Sequence, residues 1–225
     1  MQYLKYLKLI DIRLLKWAYQ KPFRDSFTVK ALIFMGDGPF WMLVVFVAAL
    51  TGQLINIESF HRLSILLMFG LMISNIVFVL CKTMVKRKRP YADVDLHQEL
   101  HIQIQNRDPG HGSKELESFP SGHVLWTTLC VCLICSQFGF IAVLLFGWMI
   151  PTMMYLRLYL GVHYPSDILA GLVLSITSVS ITLLVAPGLM DRINGLRDHA
   201  GYTYGYWGFI SLFIILGFKS WLKRV

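Results

Sequence analysis

Charge is scarce in this chain. Only 15% of its 225 residues are Asp, Glu, Lys or Arg, 56% are hydrophobic, and the mean hydropathy is +0.57. A soluble domain carries roughly 25% charged residues. The shortfall excludes an ordinary water-facing exterior and predicts one integral membrane domain over residues 1–225. Acidic residues are scarcer still, 13 against 21 Lys and Arg, for a net charge of +8. Nucleic-acid binding would interleave basic residues with stacking aromatics on a soluble fold. Here the basic residues flank apolar runs, so membrane lipids and phosphorylated headgroups are the expected partners. There are only four cysteines, Cys81, Cys130, Cys132 and Cys135, all within apolar runs. No histidine or carboxylate near the last three completes a metal ligand set, so they read as small hydrophobes and no metal is expected. No cleavable leader is expected either, because Lys5, Lys8, Asp11, Arg13, Lys16 and Lys21 interrupt any apolar core near the start.

Long apolar runs dominate what is present. A membrane-crossing helix needs ~20 residues. Six stretches qualify, near 30–53, 61–84, 120–137, 138–158, 166–187 and 205–222. The expected fold is therefore all-α, a bundle of about six transmembrane helices. Gly36-Asp37-Gly38-Pro39 interrupts the first stretch, and Ser136-Gln137-Phe138-Gly139 predicts a turn between the third and fourth. Residues 1–27 predict an amphipathic helix lying in the membrane interface, with Leu4, Leu7, Ile10, Leu14 and Trp17 on one face. The longest internal polar stretch, 91–119, holds His97, His101 and His111. A segment this long is usually functional or disordered.

Three polar clusters break the apolar pattern. The first, Lys82 to Pro90, places Lys82 and Arg89 seven residues apart, two helical turns, so they are expected to project from one face. Lysine reaches a phosphate as a flexible point charge, and arginine offers a planar fork. The second, Pro120-Ser121-Gly122-His123, opens an apolar helix. A helix start presents unpaired N–H groups to an anion, Gly122 permits close approach, and His123 can act as acid or base. The third joins Arg157, His163 and Asp167. A carboxylate that accepts from one ring nitrogen orients the imidazole and frees the other nitrogen to attack. Each cluster alone also has a plain reading, as a basic membrane edge, a helix cap or an interfacial histidine. Counting alternate crossings brings all three to one face, together with the N-terminal helix.

In order and spacing, Lys82-x6-Arg89-Pro90, Pro120-Ser121-Gly122-His123 and Arg157-x5-His163-x3-Asp167 resemble the three-part signature of the type 2 phosphatidic acid phosphatase superfamily. The resemblance implies metal-independent, cofactor-free hydrolysis of a lipid phosphate or diphosphate through a phosphohistidine. It implies His163 as nucleophile, Asp167 as its orienting carboxylate and His123 as the acid that later activates water. It implies Lys82, Arg89, Ser121, Gly122 and Arg157 as phosphate ligands. Leu156 stands where the family usually has serine before the arginine, which removes one hydroxyl contact.

Two other functions stay open on sequence: phosphotransfer from one lipid to another by the same intermediate, and non-catalytic lipid-phosphate binding or transport. For the latter Asp37 is the one candidate charge to line a path. Orientation reads two ways. Of 21 Lys and Arg, only Arg62, Arg192 and Arg197 fall on the face opposite the motifs, which predicts a cytoplasmic site. The resemblance implies instead a bacterial inner membrane with a periplasmic site.

Overall fold

The computed structural model describes residues 2–108, 116–196, 199 and 201–222, with side chains from residue 8 onward other than 220 and 221. His111 and Arg197 fall outside these residues. The chain is an all-α membrane bundle. It begins with α1 (Gln2–Tyr19) and, after a short connection, α2 (Phe27–Gly36), whose N-cap Ser26 accepts from the Val29 amide at 3.3 Å. The interruption expected at Gly36–Pro39 is a true break. Asp37 is extended, with ψ 154°, and α3 (Gly38–Leu54) leaves at 68° to α2 with Pro39 in its first turn. Proline there forfeits only an amide that the helix start leaves unpaired.

The chain returns through α4 (Glu58–Met84). The sequence places Lys82 and Arg89 on one helix face, and the structure corrects this. The helix stops at Met84, and residues 85–89 run extended. Arg89 precedes Pro90, which disfavours the helical region, and has φ −69° and ψ 153°. The freed backbone pairs with a distant segment: the Arg89 amide donates to the Leu116 carbonyl at 2.9 Å and the Ser118 amide to the Arg87 carbonyl at 2.7 Å. A turn of 3-10 helix (Pro90–Ala92) and α5 (Val94–Leu100) follow.

From the site end, α6 (Gly122–Phe138) descends to Gly139, whose φ of +68° makes the turn. The chain climbs back through α7 (Phe140–Phe146) and α8 (Met149–Tyr159). It then descends again as α9 (Pro165–Leu196), nine residues beyond the expected limit of 187, with Pro187 inside the helix. The last element is α10 (Tyr202–Leu222). Among the described residues, α4, α7 with α8, and α9 are long and apolar enough to cross a membrane, and the bent α2–α3 pair adds a fourth crossing if counted as one. α6, at 17 residues, is apolar but shorter, because its first turn belongs to the site.

Leu67 and Leu71 of α4 pack with Val45 of α3 and Leu125, Leu129 and Leu133 of α6 in the main core, joined by Ala186 of α9 and Ile210 of α10. Large apolar side chains such as Ile141, Leu144, Val173 and Leu184 point outward, as a hydrocarbon-facing surface requires. Ile10, Leu14 and Trp17 of α1 are exposed as the amphipathic pattern predicts. Its other face carries a stripe the sequence reading did not use: Ile12, Leu15 and Tyr19 pack against Leu96, Leu100, Ile104 and Tyr164.

Candidate functional site

His163 lies in the five-residue link between α8 and α9 and is 2% exposed. Burial, then the positive charges of Arg89 and Arg157, then His123 and Lys82, push its imidazole well below the ordinary histidine range. Charge on a buried ring surrounded by cations is costly, so His163 is neutral. These four groups come from four parts of the chain: Lys82 from the end of α4, Arg89 from the extended segment, His123 from the first turn of α6 and Arg157 from the last turn of α8. Lys82 Nζ stands 5.1 Å above the Phe78 ring, and Arg89 Nε donates to the Glu117 carbonyl at 3.1 Å. The three separated clusters thus meet around one ring.

Asp167, in the first turn of α9, is fully buried. Its Oδ2 accepts from the Ser118 hydroxyl and from the Tyr164 amide at 2.9 Å, and its Oδ1 accepts from Arg87 Nη1 at 2.8 Å. Oδ2 is 3.8 Å from His163 Nδ1. That is longer than the hydrogen bond the spacing led us to expect, because three other donors occupy the carboxylate. The Asp167 carbonyl also accepts from the Ser121 amide at 3.1 Å, tying α9 to the start of α6. The Ser121 hydroxyl is fully buried and has no hydrogen-bond partner among the described residues. It stands with the Gly122 amide at the open N-terminus of α6.

Sequence reasoning missed the residues that hold this arrangement. Arg87, read only as part of a basic edge, bridges two carboxylates: Nη2 donates to Asp11 Oδ2 at 2.8 Å while Nη1 serves Asp167 and the Ser166 hydroxyl. Its guanidinium lies 3.8 Å over the Tyr164 ring. Burial and the hydrogen bond to Asp93 push the Tyr164 hydroxyl far up, so it remains a donor. Asp11 also accepts from the Ser166 amide at 2.8 Å, which docks α1 onto the start of α9. The available signal was position: Asp11 adjoins Ile12 and precedes Leu15 by four residues, on the buried stripe of α1.

Arg157 is fully buried and pairs through Nη1 with Asp108 Oδ2 at 2.9 Å. Arg107 fixes that segment: its Nη1 donates to the Tyr19 and Tyr159 carbonyls at 2.8 and 3.2 Å. Asp37 lies 3.1 Å from His123 Nε2. Among the described residues, no group of three or more His, Cys, Asp or Glu side chains is placed to hold a metal ion.

The fold and the order of these residues agree with known proteins. Residues 63–191 match the PAP2 superfamily, and the chain belongs to that family. It is 31% identical over 102 residues, 45% of this chain, to a decaprenylphosphoryl-5-phosphoribose phosphatase of Mycolicibacterium smegmatis, and 30% identical over 132 residues, 58% of this chain, to its Mycobacterium tuberculosis counterpart. The matched regions cover 48% and 61% of those two proteins, about half to three-fifths of the curated relatives. The crystal structure of Aquifex aeolicus LpxE superposes with TM-score 0.58 at 19% identity, covering 76% of this chain and 93% of that one. A transmembrane PAP2-type phosphatidylglycerolphosphate phosphatase from Bacillus subtilis superposes with TM-score 0.58 at 16% identity, covering 84% and 88%.

Proposed function

We propose that this chain hydrolyses the phosphate or diphosphate of a membrane lipid by transferring the phosphoryl group to His163. One observation carries the reading: the buried His163 imidazole is ringed by Lys82, Arg89, Arg157 and His123, which with burial push it well below the ordinary histidine range. A neutral ring has a free electron pair, and the cations supply what a phosphoryl group needs as charge shifts onto its oxygens. A ring nitrogen of His163 attacks phosphorus while the bond to the lipid oxygen breaks. The electron pair leaves with that oxygen, which takes a proton from the His123 imidazolium. Water then attacks phosphorus, giving one proton to His123, and the phosphorus–nitrogen bond breaks with its electron pair returning to His163. Asp167 lies 3.8 Å from His163 Nδ1 and stabilises the ring as it gains charge. Lys82, Arg89, Arg157, the Ser121 hydroxyl and the Gly122 amide hold the phosphate.

The two mycobacterial relatives are named for a polyprenyl-linked phosphosugar, so such a lipid belongs in the substrate panel beside phosphatidylglycerophosphate, undecaprenyl diphosphate, phosphatidic acid and phosphorylated lipid A. We place the site on the periplasmic face of a bacterial inner membrane, as the family resemblance implies and against the charge count. The test is phosphate release from this panel by purified protein, with and without chelator, and acid-labile labelling of the chain by radioactive substrate. His163→Ala is expected to abolish release and labelling. Near-normal turnover by that variant on every lipid would overturn the mechanism, and loss of activity in chelator would overturn its metal independence.

A further inference from the structure

Asp37 is the N-cap residue of α3, yet its side chain makes no capping hydrogen bond to that helix. An aspartate there ordinarily accepts from the second or third amide, and Pro39 has removed one of those. The carboxylate, 7% exposed, turns instead toward His123, which is 3% exposed. Asp37 Oδ1 meets His123 Nε2 at 3.1 Å. The neighbouring residue shapes the same contact. A Cβ built on Gly36 would lie 2.7 Å from His123 Cδ2 and 2.5 Å from Met153 Cε, so position 36 has no room for a side chain while the ring occupies its place. The Nε2–Cδ2 edge of the imidazole is therefore seated in the corner where α2 breaks into α3.

Building on the phosphohistidine reading, we propose that Asp37 is the positioning residue of His123, holding its ring in this corner and keeping it in the acid form until the lipid oxygen departs. His123 opens α6, where the helix dipole is positive. Around the same pocket stand Lys82 from α4, Arg89 from the extended segment, Arg157 from α8, His163 from the link between α8 and α9, and Asp167 from the head of α9. Asp167 and Asp108 already answer to Arg87 and Arg157. Asp37 contacts the His123 ring through its carboxylate. A carboxylate beside an imidazole favours its protonated form. The break at residues 36–39, necessary to bring Asp37 inward, thereby joins the reaction.

A general acid contributes about 10²–10⁴-fold to rate, and only where the leaving oxygen needs a proton. The experiment is single-turnover release of alcohol from a lipid phosphate and of nitrophenol from 4-nitrophenyl phosphate, which reports phosphorylation of His163 alone. Asp37→Asn is expected to slow the lipid reaction about 10²-fold and the aryl reaction only a few-fold. Asp37→Glu should recover part of the loss, and Asp37→Asn should cost nothing further in a His123→Ala background. Gly36→Ala, which pushes the ring while leaving the carboxylate, should give the same split and serves should Asp37→Asn fail to fold. Equal slowing of both substrates by either variant, or additive losses with His123→Ala, would overturn the assignment. The parent reading fails separately: His163→Ala would keep both reactions.

Discussion

Asp167 and Arg87 show how the site stays neutral where it must and charged where it can. Arg87 is the cation that answers the fully buried Asp167 carboxylate, and removing one partner of a buried pair typically costs about 3–5 kcal/mol. Arg87→Ala is therefore expected to lower the melting temperature in detergent markedly and to reduce turnover by disordering Asp167. Arg87→Lys should rescue little, because two guanidinium nitrogens serve Asp11 and Asp167 at once. His163 makes a pH prediction. Its imidazole is held well below the ordinary value of 6.5, so the unfolded chain binds a proton near pH 6.5 that the folded chain refuses. Folding stability from this residue is complete above pH 6.5 and declines as pH falls further. Melting curves across this range should show that slope, and His163→Gln should flatten it.

At the scale of elements, function depends on how closely α9 lies on α6. A Cβ built on Gly171 of α9 would sit 2.7 Å from the Ser121 carbonyl. Gly171→Val must therefore part the helix that carries Asp167 from the one that carries Ser121 and His123. Misplacement by about 1 Å can cost 10²-fold, and a loss of that order in kcat/KM is expected. Gly188→Ala, with nothing within 4 Å, should leave kcat/KM unchanged. This dependence on tertiary approach also marks what the sequence could disclose. Polar residues stand out in an apolar chain, so Lys82, Ser121, His123, Arg157, His163 and Asp167 were all visible, as was the Gly-Pro break before α3. The extended run from Val85 to Arg89 was not, because no breaker precedes Pro90 and the competing pairing comes from residues 116–118, nearly thirty positions away. Nor were the partners of Arg87, since Asp11 and Asp167 lie 76 and 80 residues from it. Helical spacing speaks only to near neighbours.

The whole molecule sets its polar site at one end of a long apolar body. α4 alone, at 27 residues, extends about 40 Å against a hydrocarbon core of ~30 Å, so its two ends emerge on opposite faces of the membrane. Exposed Asn56 and Lys88 flank those ends. With the four native cysteines replaced, an impermeant thiol reagent applied to intact cells should modify Asn56→Cys or Lys88→Cys, and both only after permeabilisation. The position labelled from outside then identifies the side of the membrane on which the site lies. Arg157 bears on how that release proceeds. Its guanidinium is paired with Asp108 in the fold. On the proposed reaction, a substrate phosphate would compete with Asp108 for Arg157. On that reading, affinity is a difference between two pairings, smaller than the number of cations promises. A site without such a competitor would, on the same reading, be more strongly inhibited by its own product.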